Sequence, residues 1–384
     1  MNQDAQTAGR VLSDATQGGP QVTPAQLEAF LGRQPQFQGA TLTVALDPAR
    51  RAAGASSGTT LFMLILDDGR REPTTRELVF RYDLGGTFFR QYELAPQFWT
   101  MRALRDAGVC APEALWLDAE GEVAGRPGLV MARIVGEAPS ITPFQDGPLM
   151  RASASCRHAM LLNAARTLAA VNAADLAGGR FDHLKARGHG HHFIDREIDW
   201  TLDELHGALP PRDLRPRKAG FYREVVGVLE AVAAWLRREA PRHRPPELAH
   251  GDANITNFMY RGQQVTALLD YELTHLGIGE ADLGYQLAGI EHFRLLAPPV
   301  EGIPSETELV DAYRQARGRL DDWPYAKAMG EWRLDVFAAM GMSRLPPALE
   351  HIERTYWAAA AARLASLLPE VVETALATAR ADAP

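Results

Sequence analysis

The stretch from Leu248 to Glu272 constrains this chain more than any other. Two short apolar runs there each end on acidic chemistry. Glu247 to Ala249 leads into His250-Gly251-Asp252, and Asn257 follows five residues after Asp252. Phe258 to Tyr260 is apolar and breaks at Arg261-Gly262-Gln263, which reads as a hairpin turn. Val265 to Leu269 is then the return strand, and it ends on Asp270. The pattern brings Asp252, Asn257 and Asp270 to one end of a small hairpin. Two carboxylates and an amide oxygen are hard donors. That set suits Mg²⁺, which takes one or two carboxylates together with substrate phosphates. It does not suit zinc, which prefers nitrogen and sulfur.

His-Gly-Asp-x-x-x-x-Asn followed by an apolar strand and Asp resembles the catalytic core of the aminoglycoside phosphotransferases and related kinase-fold small-molecule kinases. The continuation Leu269-Asp-Tyr-Glu-Leu-Thr-His-Leu-Gly-Ile-Gly-Glu-Ala-Asp-Leu-Gly-Tyr285 is similar to one branch, which includes phosphotransferase domains fused to acyl-CoA dehydrogenases. Four features in the right order make a specific signal, whereas a lone His-x-Asp would read equally as a loop with a satisfied histidine. The resemblance covers about residues 25 to 345. It implies that Asp252 is the catalytic residue and that Asn257 and Asp270 hold the metal. It also gives Asp282 a structural task, accepting hydrogen bonds from the catalytic-loop backbone at the start of a helix.

Composition bounds the rest. The chain has 384 residues, enough for two lobes, and is 46% hydrophobic and 23% charged, as in ordinary globular proteins. A formal charge of −8 argues against nucleic acid or an anionic membrane as the main partner. Cys110 and Cys156 show no zinc-type spacing and offer no disulfide framework. With no apolar signal region and no apolar run long enough to span a bilayer, the expectation is a cytoplasmic protein.

Residues 1–22 are polar, show no period and read as a tail. Thr23-Pro-Ala-Gln-Leu-Glu opens a capped helix with Leu27, Phe30 and Leu31 on one face, and Thr41 to Leu46 alternates as a strand does. Small residues then precede the apolar run from Leu61 to Leu66. In the resembling family this is a Gly-Gly-x-Ser-Asn-x-Thr-like turn over the nucleotide phosphates. Gly54, Ser56 and Ser57 keep that frame, while Gly58 and Thr60 depart from it. Gly54-Ala-Ser56-Ser57-Gly58 also matches the Gly-x-Ser-x-Gly elbow of hydrolases, which requires a helix after it; a strand pattern follows here.

Glu77-Leu-Val-Phe-Arg81 is a strand ending on a cation. The resemblance places Arg81 where kinases keep a phosphate-gripping lysine, a task guanidinium can perform bidentately; an exposed strand-end arginine is the plain alternative. From Phe88 to Leu104 the spacing predicts a helix. The family usually has a glutamate there to pair with the cation, and the register puts Gln97 in its place, able to accept a hydrogen bond from Arg81 but without charge. The strand from Leu129 should end in an interlobe hinge, with the backbone of Met131 to Arg133 beside the nucleotide base. Met131 reads as well as plain core.

Beyond Pro139 the patterns are long and helical. Gly188-His-Gly-His-His192 has no spaced ligand partner and reads as a polar loop rather than a metal site. Asp195, Glu197, Asp199, Asp203 and Glu204 share one helix, either bordering substrate or facing solvent. Residues 307–319, 324–343 and 347–378 read as closing helices.

The resemblance therefore implies an α+β fold of protein-kinase-like, two-lobed type. A tail (1–22) precedes a small, mainly antiparallel nucleotide-binding lobe (23–133) and a larger helical catalytic and substrate lobe (134–384). The implied activity is ATP- or GTP-dependent, Mg²⁺-assisted phosphoryl transfer to a hydroxyl of a small molecule. The rivals are a nucleotide-binding pseudokinase and a kinase for a cationic antibiotic. The sequence leaves the oligomeric state open.

Overall fold

In the computed structural model, residues 22–53, 57–85, 88–90, 93–184, 189–209 and 216–381 are described. The alternating residues 41–46 and the apolar residues 61–66 become neighbouring strands. β1 (Thr41–Ala53), β2 (Ser57–Asp67), β3 (Thr74–Asp83), β4 (Ala114–Asp118) and β5 (Gly128–Ala132) form one sheet in the order β1-β2-β3-β5-β4. Every neighbouring pair is antiparallel.

Thr23 and Gln26 close a capping box on α1 (Pro24–Gly32), satisfying two amides that the first turn leaves without partners. Its face Leu27, Phe30 and Leu31 is buried with Phe62, Leu64 and Phe80 from alternate strand positions. Val22, placed in the tail expected over 1–22, belongs to this core; residues 1–21 lie outside the described residues. α2 (Leu94–Asp106) starts later than the helix expected from Phe88. Pro96 explains the delay. It has no N–H and its ring clashes with the carbonyl four residues back, so it is tolerated in a first turn and not in a helix interior.

The described residues fall into two compact units that part between Val135 and Gly136. The second is mostly helical: α3 (Gly147–Arg151), α4 (Ala154–Asn172), α5 (Phe193–Ala208), α6 (Pro216–Arg238), α7 (Ala281–Leu295), α8 (Glu306–Arg317), α9 (Trp323–Met342), α10 (Glu350–Leu367) and α11 (Pro369–Ala381). The single helix expected over 347–378 is two, because Pro369 opens α11 and disfavours helical backbone at the residue before it. Two ribbons sit among the helices, β6 (Glu247–Ala249) with β9 (His275–Gly277) and β7 (Phe258–Arg261) with β8 (Gln264–Leu268).

α7 and α9 come into backbone contact. A Cβ added at Gly330 would lie 2.2 Å from the Ala281 carbonyl oxygen and 2.3 Å from the Tyr285 nitrogen. Trp332, fully buried, ties α9 to α6 by donating its indole N–H to the Leu229 carbonyl at 2.9 Å. Truncating such a side chain typically costs about 3–5 kcal/mol. α7 therefore has a fixed seat, which matters for the loop it holds. No helix among the described residues is long and apolar enough to cross a membrane.

Candidate active site

The loop between β6 and β7 is held from both ends. His250 is fully buried, and its Nδ1 accepts the Asp252 backbone N–H at 3.2 Å. A nitrogen that accepts carries no proton, so the ring proton sits on Nε2, which donates to the Leu269 carbonyl at 2.9 Å. One imidazole thus couples the backbone of Asp252 to the residue before Asp270. Asp282, in the first turn of α7, accepts the N–H groups of His250 at 2.7 Å and Gly251 at 2.9 Å. Asn172 of α4 donates to the same carboxylate at 2.8 Å and to the Leu248 carbonyl at 2.8 Å. This is the task the resemblance implied for Asp282. Gly251 has φ +86°, and a Cβ there would lie 2.2 Å from the Leu273 carbonyl oxygen.

Asn257 donates through Nδ2 to Asp252 Oδ2 at 2.9 Å and to the Asp252 carbonyl at 3.0 Å. Among the described residues nothing donates to its Oδ1, which stays available to a cation. Asp270 follows β8 with φ +66°, one of two non-glycine residues with positive φ among those described. That conformation costs an L-residue roughly 1–2 kcal/mol, and strain of this kind concentrates at functional sites. Burial, and after it the Asp270 charge, push the Asp252 carboxyl above the ordinary carboxylate range; the hydrogen bond from Asn257 pulls the other way. The two carboxylates are thus near enough to feel each other. No group of three or more His, Cys, Asp and Glu among the described residues could hold a metal. The Asp270 carboxylate with the Asn257 amide oxygen instead fits Mg²⁺, which draws its remaining ligands from phosphates and water.

The other candidates lie in the unit ending at Val135. Ser57 is buried at the start of β2, and its Oγ accepts the Arg81 Nε–H at 2.7 Å. Gly54 and Ser56 lie outside the described residues. Strand β2 follows them, where a hydrolase elbow needs a helix, so that reading is excluded. Met131 is half-buried in β5 opposite Val79. Arg133 pairs with Glu77 at 2.8 Å, and its backbone N–H donates to the Glu77 carbonyl at 3.1 Å. Gln97 departs from expectation. It is buried, its Nε2 donates back to the Glu93 carbonyl at 3.1 Å, and its Oε1 accepts no hydrogen bond. The bond foreseen from Arg81 to Gln97 is not made.

Of the five acids expected on the acidic helix, Asp203 is exposed and the other four are paired or buried. On α5, Asp195 pairs with Arg242 at 2.5 Å, Glu197 with Arg333 at 2.8 Å and His275 at 2.9 Å, and Asp199 with Arg237. Glu197 and Glu204 are buried. Beside this network a small cavity of ≈ 20 Å³ is lined by Phe193, Trp200, Leu273, His275 and Arg333 among others. Of the histidine-rich loop, His192 caps α5 by accepting the Ile194 N–H at 3.3 Å.

A mainly antiparallel five-stranded unit and a larger helical unit with this loop define a kinase-like fold. Residues 70–329 match the model of the phosphotransferase enzyme family, more than half of the chain, and the chain belongs to that family. It is 25% identical over 302 residues to acyl-CoA dehydrogenase family member 10 of Mus musculus. That match takes in 73% of this chain, which spans only 26% of the relative's length. Among solved structures it is similar to a Ralstonia eutropha JMP134 protein provisionally described as an aminoglycoside phosphotransferase, with TM-score 0.59 and 21% identity over 92% of this chain and 98% of that one. A choline kinase from Cryptosporidium parvum Iowa II gives TM-score 0.53 and 11% identity, covering 91% and 95%. An amicoumacin kinase in complex with AMP-PNP and Ca²⁺ gives 0.51 and 12%, covering 89% of each chain. These likenesses establish the fold.

Proposed function

We propose that the chain transfers the γ-phosphoryl group of ATP or GTP to a hydroxyl of a small molecule with the help of Mg²⁺. The observation that carries this reading is the meeting of Asp252, Asn257 and the strained Asp270 on one hydrogen-bonded loop and hairpin. Asp252 would orient the acceptor hydroxyl and take its proton, and its raised pKa strengthens it as a base. Asn257 through Oδ1 and Asp270 through its carboxylate would hold Mg²⁺, which supplies positive charge to the transferring phosphoryl group. In the unit ending at Val135, Arg81 with Ser57, and Gly54 and Ser56 before it, would hold the phosphates. The backbone from Met131 to Arg133 would border the nucleotide base. The nucleotide analogue and divalent ion bound to the amicoumacin kinase support a nucleotide and a divalent cation as participants here. Residues before Val135 would then form the nucleotide-binding lobe and those from Gly136 the catalytic and substrate lobe.

The intact Asp252, Asn257 and Asp270 weigh against a nucleotide-binding relic. The pairing of Asp195, Glu197 and Asp199 with arginines weighs against a polycationic antibiotic as acceptor, because those carboxylates are already neutralised. The test is a screen of hydroxylated metabolites and antibiotics for acceptor-dependent ADP release. Stimulation by an uncharged or anionic alcohol agrees with the proposal. Stimulation by aminoglycosides alone, or tight nucleotide binding with no stimulation by any acceptor, would favour one of the rivals.

A further inference from the structure

Tyr313 on α8 is fully buried, and its hydroxyl donates to Asn172 Oδ1 at 2.8 Å. Asn172, the last residue of α4, is buried too and passes the contact on. Its amide donates to the Leu248 carbonyl of β6 at 2.8 Å and to Asp282 Oδ2 at 2.8 Å. Asp282 in turn accepts the backbone N–H groups of His250 at 2.7 Å and Gly251 at 2.9 Å. Hydrogen bonds thus run without a break from α8 through α4 and α7 to the loop that carries Asp252. We infer that Tyr313 is a positioning residue for the catalytic loop, acting through Asn172 and Asp282. The inference rests on the reading of Asp252 as the base.

The chemistry of the atoms fixes the direction of this relay. Leu248 presents a carbonyl and Asp282 a carboxylate, and both only accept. Asn172 therefore turns its NH₂ toward them and its oxygen toward Tyr313. Burial, with the charge of Glu280 next, raises the Tyr313 phenol far above its usual range, so the hydroxyl keeps its proton and acts as the donor. Removing that donor leaves a buried amide oxygen short of its hydrogen bond, which weakens the hold on the Asn172 rotamer. The seat of Asn172 is narrow, since a Cβ on Gly279 would stand 2.8 Å from the Asn172 Cβ. Arg317, one turn after Tyr313 on the same face of α8, pairs with Glu247 at 2.7 Å. α8 thus holds β6 at two successive residues, Glu247 directly and Leu248 through Asn172. A strand held in this way delivers the loop to one place, and small misplacement of a reacting group already slows transfer. Tyr313→Phe removes the one hydroxyl and keeps the ring.

The experiment compares the wild type, Tyr313→Phe, Asn172→Ala and the double variant, all as full chains. ADP release from Mg²⁺·ATP is measured with water standing in for the acceptor. Rates are divided by the ATP sites counted in calorimetry, so that unfolded molecules do not enter. Amide hydrogen exchange is followed by mass spectrometry in peptides from the catalytic loop and from α9. Tyr313→Phe should lower the rate about fivefold, in keeping with the loss of one buried hydrogen bond, while ATP affinity stays within about twofold. Exchange in the loop peptide, which contains the His250 and Gly251 amides, should quicken by about fivefold or more, while that in α9 is unchanged. In the Asn172→Ala background the same change should lower the rate less than about twofold, because Tyr313 acts through the residue already removed. Asn172→Ala alone should show the same slower rate and quicker loop exchange, so either single variant decides if the other fails to fold. A full rate in Tyr313→Phe, unchanged loop exchange, equal losses in both backgrounds, or exchange quickened equally in α9 would overturn the inference and leave the function intact. No ADP release by the wild type would instead overturn the proposed function, and the inference with it.

Discussion

At the scale of single residues, the site depends on atoms with no room to change. Gly251 has φ +86°, and its hydrogen faces the Leu273 carbonyl where a Cβ would stand at 2.2 Å. Gly251→Ala therefore combines left-handed strain with a backbone clash. It should lower stability by about 2–4 kcal/mol in urea unfolding and abolish turnover. Asp270→Asn keeps a residue that tolerates positive φ but removes an anionic ligand. AMP-PNP titrated by calorimetry should then bind more weakly with Mg²⁺ present and unchanged without it; an unaltered Mg²⁺ dependence would remove Asp270 from the metal site. Gln97 reverses what its place in the pattern promises. Its Oε1 is buried and accepts nothing, so Gln97→Glu would bury a charge with no donor to meet it, at a cost of about 1–3 kcal/mol or more. Gln97→Leu should be better tolerated, as thermal unfolding of the two variants will show.

At the scale of elements, α5 is a charged helix turned inward. Asp199, Asp195 and Glu197 are held by arginines from α6, the segment after it and α9. The hydrogen bond from Arg242 holds the Asp195 carboxyl below the ordinary carboxylate range. A depressed folded-state pKa contributes stability that is present above the unfolded value and is lost as pH falls through the folded one. Arg242→Gln removes that contribution. Its acid-unfolding midpoint, followed by circular dichroism, should move to higher pH, while stability at pH well below the carboxylate range should match the wild type. An unmoved midpoint would mean that the pair is idle.

At the scale of the whole molecule, legibility in the sequence followed the distance over which each interaction acts. The hairpin at 258–268, the capped α1 and the amphipathic helices were readable because turn chemistry and periodicity are local. The loop candidates were readable because Asp252, Asn257 and Asp270 fall within nineteen residues in a fixed order. What escaped depends on partners far along the chain. The arginines that neutralise α5 lie up to 136 residues from their carboxylates, so charge content alone could not tell a solvated face from a buried network. Gln97 escaped for a similar reason, since a register argument gives a place on a helix but not what the side chain meets.

The central claim is that Asp252 is the base of a phosphoryl transfer, and Asp252→Asn tests it most directly. The change keeps the side chain's shape and a hydrogen-bonding oxygen but removes the proton acceptor. Nucleotide affinity with Mg²⁺ should stay close to that of the wild type, while transfer to an acceptor found in the screen should slow by about 10² to 10⁴. Transfer at the wild-type rate would contradict the account.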